Sequence, residues 1–240
     1  MNECDGEKIN LSMFNEDDPR EHQMKLLFGC GIMFGFRGSD EHTNLEVRNI
    51  TRGDFASGRP YAGYEYYGIE GLTDKTLKLT SFNSHVRDNT DYMRLPVMDD
   101  DPTSSDLPGS FKRFLAKLAP GQIRIYCKVL PPSLRSKDGP YENQFFYPNN
   151  PLGRNTINQL FKDGARILGL SNPDSFSPHS LRAYFITRLA NTSGVSDKER
   201  MVASRHNSVA ASAIYQERDS NSEVNRFSAL GIKAATVQEE

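Results

Sequence analysis

Ser177-Pro178-His179-Ser180-Leu181-Arg182, followed by His206 and then Tyr215, is the stretch on which the reading of this chain turns. Ser177 suits a helix N-cap. Pro178 suits the first helical position, where its missing N–H breaks no bond. Leu181, Phe185 and Leu189 recur every four residues, which predicts a helix over about 178–192 with one apolar stripe. His179 and Arg182 stand three apart on that helix, so both can reach one anionic group near its start. Gly194 is a stop, and Ser196-Asp197-Lys198-Glu199 is a capping box for a helix over 196–204. Asn207-Ser208 then caps a last helix over 208–218, which carries Ala211, Ile214 and Tyr215.

Singly these residues mean little in a chain with five His and ten Tyr. A lone His on an amphipathic helix is more often structural than catalytic, and a lone Tyr near a helix end is usually a core ring with a wet hydroxyl. The ordered set is much rarer, and it suits phosphoryl transfer to a tyrosine. A phosphodiester then needs rigid positive charge on its non-bridging oxygens. Arg supplies it best, because its planar fork bonds phosphate bidentately and keeps its proton. Gly31-Ile32-Met33-Phe34-Gly35-Phe36-Arg37-Gly38-Ser39-Asp40-Glu41-His42 offers such an Arg, at the end of an apolar helix beginning near Pro19. The plain alternative is a surface Arg favoured by a helix C-terminal dipole.

With Arg37 and Asp40, a Lys in the 64–97 region, His179-Ser180-Leu181-Arg182, His206 and Tyr215, the chain resembles the catalytic domain of the tyrosine recombinases, or phage integrases. Phe34 to His42 and Pro151-Leu152-Gly153-Arg154-Asn155-Thr156 are most similar to the eukaryotic Crypton-type branch. The resemblance covers roughly residues 20–220. It implies six catalytic residues: Arg37, Lys75, His179, Arg182, His206 and Tyr215. Lys75 follows the strand-like Tyr64 to Ile69, and Lys78 is the second choice for the same role. One residue departs from the pattern, since Arg205 stands where relatives usually carry Gly before the second His.

What the resemblance implies is DNA cleavage and rejoining, as in site-specific recombination or integration by a mobile element. Tyr215 would attack the scissile phosphate and form a 3′-phosphotyrosyl bond, with His179 receiving the phenolic proton. Arg37 and Arg182 would clamp the developing charge, His206 would add a donor, and Lys75 would protonate the leaving 5′-oxygen. The covalent intermediate keeps the bond energy, so neither a metal nor a nucleotide cofactor is implied. The implied partners are double-stranded DNA and further copies of the chain assembled on it, and the implied location is the nucleus. Two other readings are a domesticated, non-catalytic DNA- or chromatin-binding module and an unrelated helical interaction protein.

Composition fits one large domain. At 240 residues, 37% apolar and with a mean hydropathy of −0.61, the chain has ample core and no run near the ~18 apolar residues of a membrane span. Cys4, Cys30 and Cys127 are isolated, so neither a disulfide framework nor a zinc site is expected. The net charge of −2 argues against DNA binding, but the charge is uneven. Leu107 to Lys137 holds Lys112, Arg113, Lys117, Arg124, Lys128, Arg135 and Lys137 with no carboxylate, which is either a phosphate-binding face or an ordinary solvated one.

The fold class expected is mainly helical α+β with a small antiparallel sheet. An acidic segment over 1–18 precedes a catalytic domain over 19–232 and a tail over 233–240. Within the domain a helix covers about 19–35, and the sheet lies within 45–97. A helix near 109–118, a strand over 123–129 and a Pro-rich connection over 131–153 follow. A helix near 155–168, capped by Asn155 and stopped by Gly169, leads to the three C-terminal helices. With only about 20 residues before the domain, the N-terminal clamp of such enzymes is not expected in this chain.

Overall fold

A computed structural model describes residues 8–57, 61–70, 94–135 and 144–191. Among them the fold is α+β, with five α-helices and two small antiparallel sheets.

Helix α1, Pro19–Phe34, is the axis of the molecule. The Asp18 carboxylate caps it, accepting from the N–H groups of Arg20 and Glu21 at 2.7 and 3.0 Å, and Pro19 opens it. Gly35, at φ 56°, ends it in the left-handed conformation that glycine adopts without a Cβ penalty. Most of α1 is buried because helices pack around it on several sides. Helix α2, Gly38–Asn44, follows at once; it was not anticipated from the sequence. Helix α3, Leu107–Leu115, helix α4, Arg154–Ile167, and helix α5, Pro178–Ala190, complete the set.

Glycines on α1 and α4 allow the close approach. A methyl on Gly29 would meet Leu107 Cδ1 of α3 at 2.4 Å, and one on Gly31 would meet Leu181 Cδ1 of α5 at 2.6 Å. On α4, Gly164 makes room for the Phe28 ring of α1. That ring stacks on Phe176 at 5.5 Å and lies 5.4 Å from Phe161, at the centre of the apolar core.

The expected sheet is present as β1 (Ile50–Asp54), β2 (Glu65–Ile69) and β3 (Arg94–Pro96), all antiparallel, with Ile50 opposite Ile69 and Gly68 opposite Arg94. A second sheet pairs β4 (Cys127–Val129) with β5 (Phe146–Pro151). Two expectations are corrected here. The strand expected over 123–129 is shorter, because Ile123 is exposed and Arg124 makes only an isolated bridge to Glu46. The supposed connection over 131–153 contains β5, whose prolines are tolerated because each strand of a two-stranded sheet has a free edge.

Helix ends largely follow the expectation. Ser177 caps α5, its N–H donating to Ser180 Oγ at 3.4 Å, and Gly169 at φ 63° follows α4. The cap of α4 is Gly153, however, and not Asn155, since the helix starts one residue earlier at Arg154. The segment before α1 is no loose appendage from residue 8 onward: Leu11 and Phe14 are buried, with Phe14 5.5 Å from the Phe28 ring. The expected helices over 196–204 and 208–218, and the 233–240 tail, lie outside the described residues.

Candidate functional site

The candidate site is assembled where α1 ends, α2 begins and α5 starts. The left-handed Gly35 turns the chain out of α1, and Phe36 is buried behind the turn against His42, ring centroids 4.8 Å apart. Arg37 then occupies the N-cap of α2. Its backbone N–H donates to the Glu41 carboxylate at 2.5 Å, so an acid four residues on, near the positive end of the short helix, closes the turn. Asp40, the acid three residues after Arg37 in the motif, forms an ion pair with Arg154 at the start of α4, where both side chains are largely exposed. Ser39 Oγ adds a 2.7 Å bond to Asn158, also on α4.

Helix α5 brings the His-x-x-Arg segment to this junction. Arg182 is only 5% exposed, and its Nη1 donates to the Gly35 carbonyl at 2.5 Å. That carbonyl lies two residues before Arg37, so one hydrogen bond ties together segments 147 positions apart. His179, one turn earlier on α5, is exposed. The contact with Gly35 is made possible by packing. Leu181 lies over Gly31, and a methyl on Gly35 would meet Phe185 Cδ1 at 2.4 Å.

Of the six residues singled out, the structure therefore places Arg37, His179 and Arg182, and it draws their segments together. Lys75, its alternative Lys78, His206 and Tyr215 lie outside the described residues. Glu41, Gly31 and Gly35 were not singled out beforehand. The four-residue spacing of Arg37 and Glu41 was visible in the sequence, but a glycine's partner on a distant helix was not.

The basic stretch over 107–137 is neutralised in part. Lys112 pairs with Asp100 at 2.8 Å and approaches Glu65 at 3.5 Å. Arg113 bonds Glu16 through Nε and Nη2 at 2.7 and 2.9 Å and Asp100 through Nη1 at 2.7 Å. Arg124 approaches Glu46 at 3.5 Å. Carboxylates remote in sequence thus supply what the stretch itself lacks.

Behind α3, Glu16, His22, Lys25, Arg113 and Lys117 form one buried network. Lys117 Nζ lies 3.1 Å from His22 Nδ1; because an ammonium can only donate, Nδ1 accepts and Nε2 carries the proton. Nε2 faces the Ser110 carbonyl at 3.1 Å and can donate to it. Burial pushes the His22 imidazole down to about 4; the Glu16 charge opposes this and Lys117 reinforces it. The 3.4 Å approach of His22 to Glu16 is therefore not an ion pair at neutral pH. Burial would raise the Glu16 carboxyl, but hydrogen bonds from Arg113 and Lys25 outweigh it and bring it down to about 2.

Among the described residues no group of three or more His, Cys, Asp or Glu is placed to hold a metal ion, and no helix is long and apolar enough to cross a membrane. No protein-family model matches this chain, and no curated protein matches it significantly.

Proposed function

We propose that this chain is a DNA strand-cleaving and rejoining domain that works through a tyrosine nucleophile, as the tyrosine recombinases do. One observation carries the reading: Arg182 of the His-x-x-Arg segment is lodged against the Gly35 carbonyl, next to Arg37, although 147 positions separate the bonded residues. Two guanidinium-bearing segments meeting beside an exposed imidazole suit a phosphodiester. Fixed forks can donate hydrogen bonds to its non-bridging oxygens and stabilise the charge that grows there, with no reorganisation during reaction.

In this proposal Tyr215 attacks the phosphorus and breaks its bond to the 5′-oxygen, leaving a 3′-phosphotyrosine. His179 takes the phenolic proton and Lys75, or Lys78, donates one to the departing oxygen. Arg37, Arg182 and His206 hold the phosphoryl oxygens. A 5′-hydroxyl from another strand then reverses the attack. Double-stranded DNA is the partner, with self-association on it.

Nicked suicide DNA tests this directly, because loss of the short 5′-terminated strand leaves the covalent intermediate trapped. A protein–DNA adduct that survives SDS is the expected result. DNA binding with no adduct would replace the proposal with a non-catalytic DNA-binding module. Neither binding nor adduct would remove DNA altogether.

A further inference from the structure

The strongest relationship outside the candidate catalytic groups is the seat of α5 on α1. Gly31 and Gly35 stand four apart on α1 and at its end, and they face one side. Leu181 and Phe185, four apart on α5, fill the two gaps. A methyl on Gly31 would lie 2.6 Å from Leu181 Cδ1 and 2.8 Å from its Cβ, and one on Gly35 would lie 2.4 Å from the Phe185 ring. Leu181 and Phe185 are buried, and Arg182 lies between them in sequence.

We infer that Gly31 and Gly35 are positioning residues for the phosphate clamp: they set how deeply α5 seats on α1, and so where the Arg182 guanidinium stands relative to Arg37. This inference rests on the proposed strand-cleavage function. The reason is geometric. Arg182 reaches the Gly35 carbonyl at 2.5 Å only because two missing side chains let the helices approach this closely. Adding a methyl at Gly31 forces α5 outward or along its axis, since Leu181 Cβ, 2.8 Å away, cannot swing aside as the tip of a side chain can. Leu181 is bonded in sequence to Arg182, so the displacement passes directly to the clamp. A displacement of about 1 Å in a positioned group is enough to cost on the order of a hundredfold in rate.

Gly29 is the built-in control. It lies on the same helix, and a methyl there would also be crowded, 2.4 Å from Leu107 Cδ1, but the crowding falls on the outer part of a side chain of α3 and not on α5. The experiment compares Gly31→Ala with Gly29→Ala in the full chain. It follows thermal unfolding, DNA affinity, and the rate of adduct formation at saturating suicide DNA. Both variants should lower the unfolding temperature. Only Gly31→Ala should slow adduct formation by about a hundredfold with DNA affinity held within about threefold, the signature of an interaction needed in the transition state. Should Gly31→Ala fail to fold, Phe185→Leu takes its place; it loosens the seat over Gly35 and should slow adduct formation by about tenfold.

Equal slowing by Gly29→Ala and Gly31→Ala (or by Gly29→Ala and Phe185→Leu) would overturn the inference while leaving the proposed function standing. No adduct from the unsubstituted chain would overturn that function, and this inference with it.

Discussion

The Glu16 carboxylate and the Lys25 ammonium meet at 2.7 Å with side chains 2% and 0% exposed. Lys25 spends its other protons on the carbonyls of Pro102 and Ser104, at 3.1 and 2.6 Å, and Glu16 also takes the fork of Arg113. One buried pair thereby joins the segment before α1, α1 itself, the 99–106 loop and α3. A charge out of water is tolerable only with such full pairing.

Glu16→Gln should therefore destabilise the fold by about 3 kcal/mol or more, because it leaves Lys25 buried without a counter-charge and leaves Arg113 with Asp100 alone. Chemical denaturation monitored by circular dichroism measures it. A loss below about 1 kcal/mol would mean that the network is solvated in solution.

Stability should fall on acidification in two overlapping windows. The His22 imidazole titrates at 6.5 when unfolded but only at about 4 when folded, so between these values the unfolded chain binds the extra proton. Its contribution is full above 6.5 and is lost as pH falls toward 4. The Glu16 carboxyl, held at about 2 against 4.5, acts likewise from 4.5 downward. Denaturant midpoints measured from pH 8 to pH 3 should decline throughout the lower part of this range. His22→Gln should flatten the decline between 6.5 and 4, and an unchanged slope would show that another group titrates there.

Tyr215→Phe should abolish the SDS-stable adduct while leaving DNA binding nearly intact. Tyr215 is the only tyrosine after His206, so no neighbour downstream can replace it. Gel analysis of the trapped product decides the matter; an undiminished adduct would remove Tyr215 as nucleophile.

Arg37→Ala and Arg182→Ala should each slow cleavage by a hundredfold or more, about 3 kcal/mol in the barrier, if both hold one phosphate. Arg182→Ala should also lower the unfolding temperature, because Arg182 is buried and bonded to the Gly35 carbonyl. Arg182→Lys keeps the charge but loses the fork, and it should recover little. EDTA should leave the cleavage rate unchanged, and an EDTA-sensitive rate would require a different mechanism.

Binding of this chain to duplex DNA should be weak, micromolar or poorer, and weaker still as salt rises. Lys112, Arg113 and Arg124 already face carboxylates, so the 107–137 stretch offers phosphates fewer cations than its composition suggests. Fluorescence anisotropy over a salt series tests this. Nanomolar, sequence-selective binding at physiological salt would show that these ion pairs open on DNA.

What the sequence alone determined is what depends on neighbours in the chain. The Asp18-Pro19 start of α1, the Ser177-Pro178 start of α5 and the strand read over Tyr64 to Ile69 are local signals; both helices start where they were read, and the strand runs from Glu65 to Ile69. The ordered series of Arg, His-x-x-Arg, His and Tyr was equally legible as a set of residue types. Tertiary structure alone decided the rest, because the deciding contacts depend on which distant segments the fold brings together. Nothing near Glu16 in sequence indicates that Arg113 will satisfy it, and nothing near Pro148 indicates that Phe146–Pro151 will find a partner strand in Cys127–Val129. Nor could spacing reveal that Asp40 would turn to Arg154 while Glu41 closed the turn at Arg37. Above all, a glycine in an apolar helix reads only as a weak point. That Gly31 and Gly35 form the seat bringing Arg182 to Arg37 follows from the side chains of α5 that fill it, and only the folded packing supplies those.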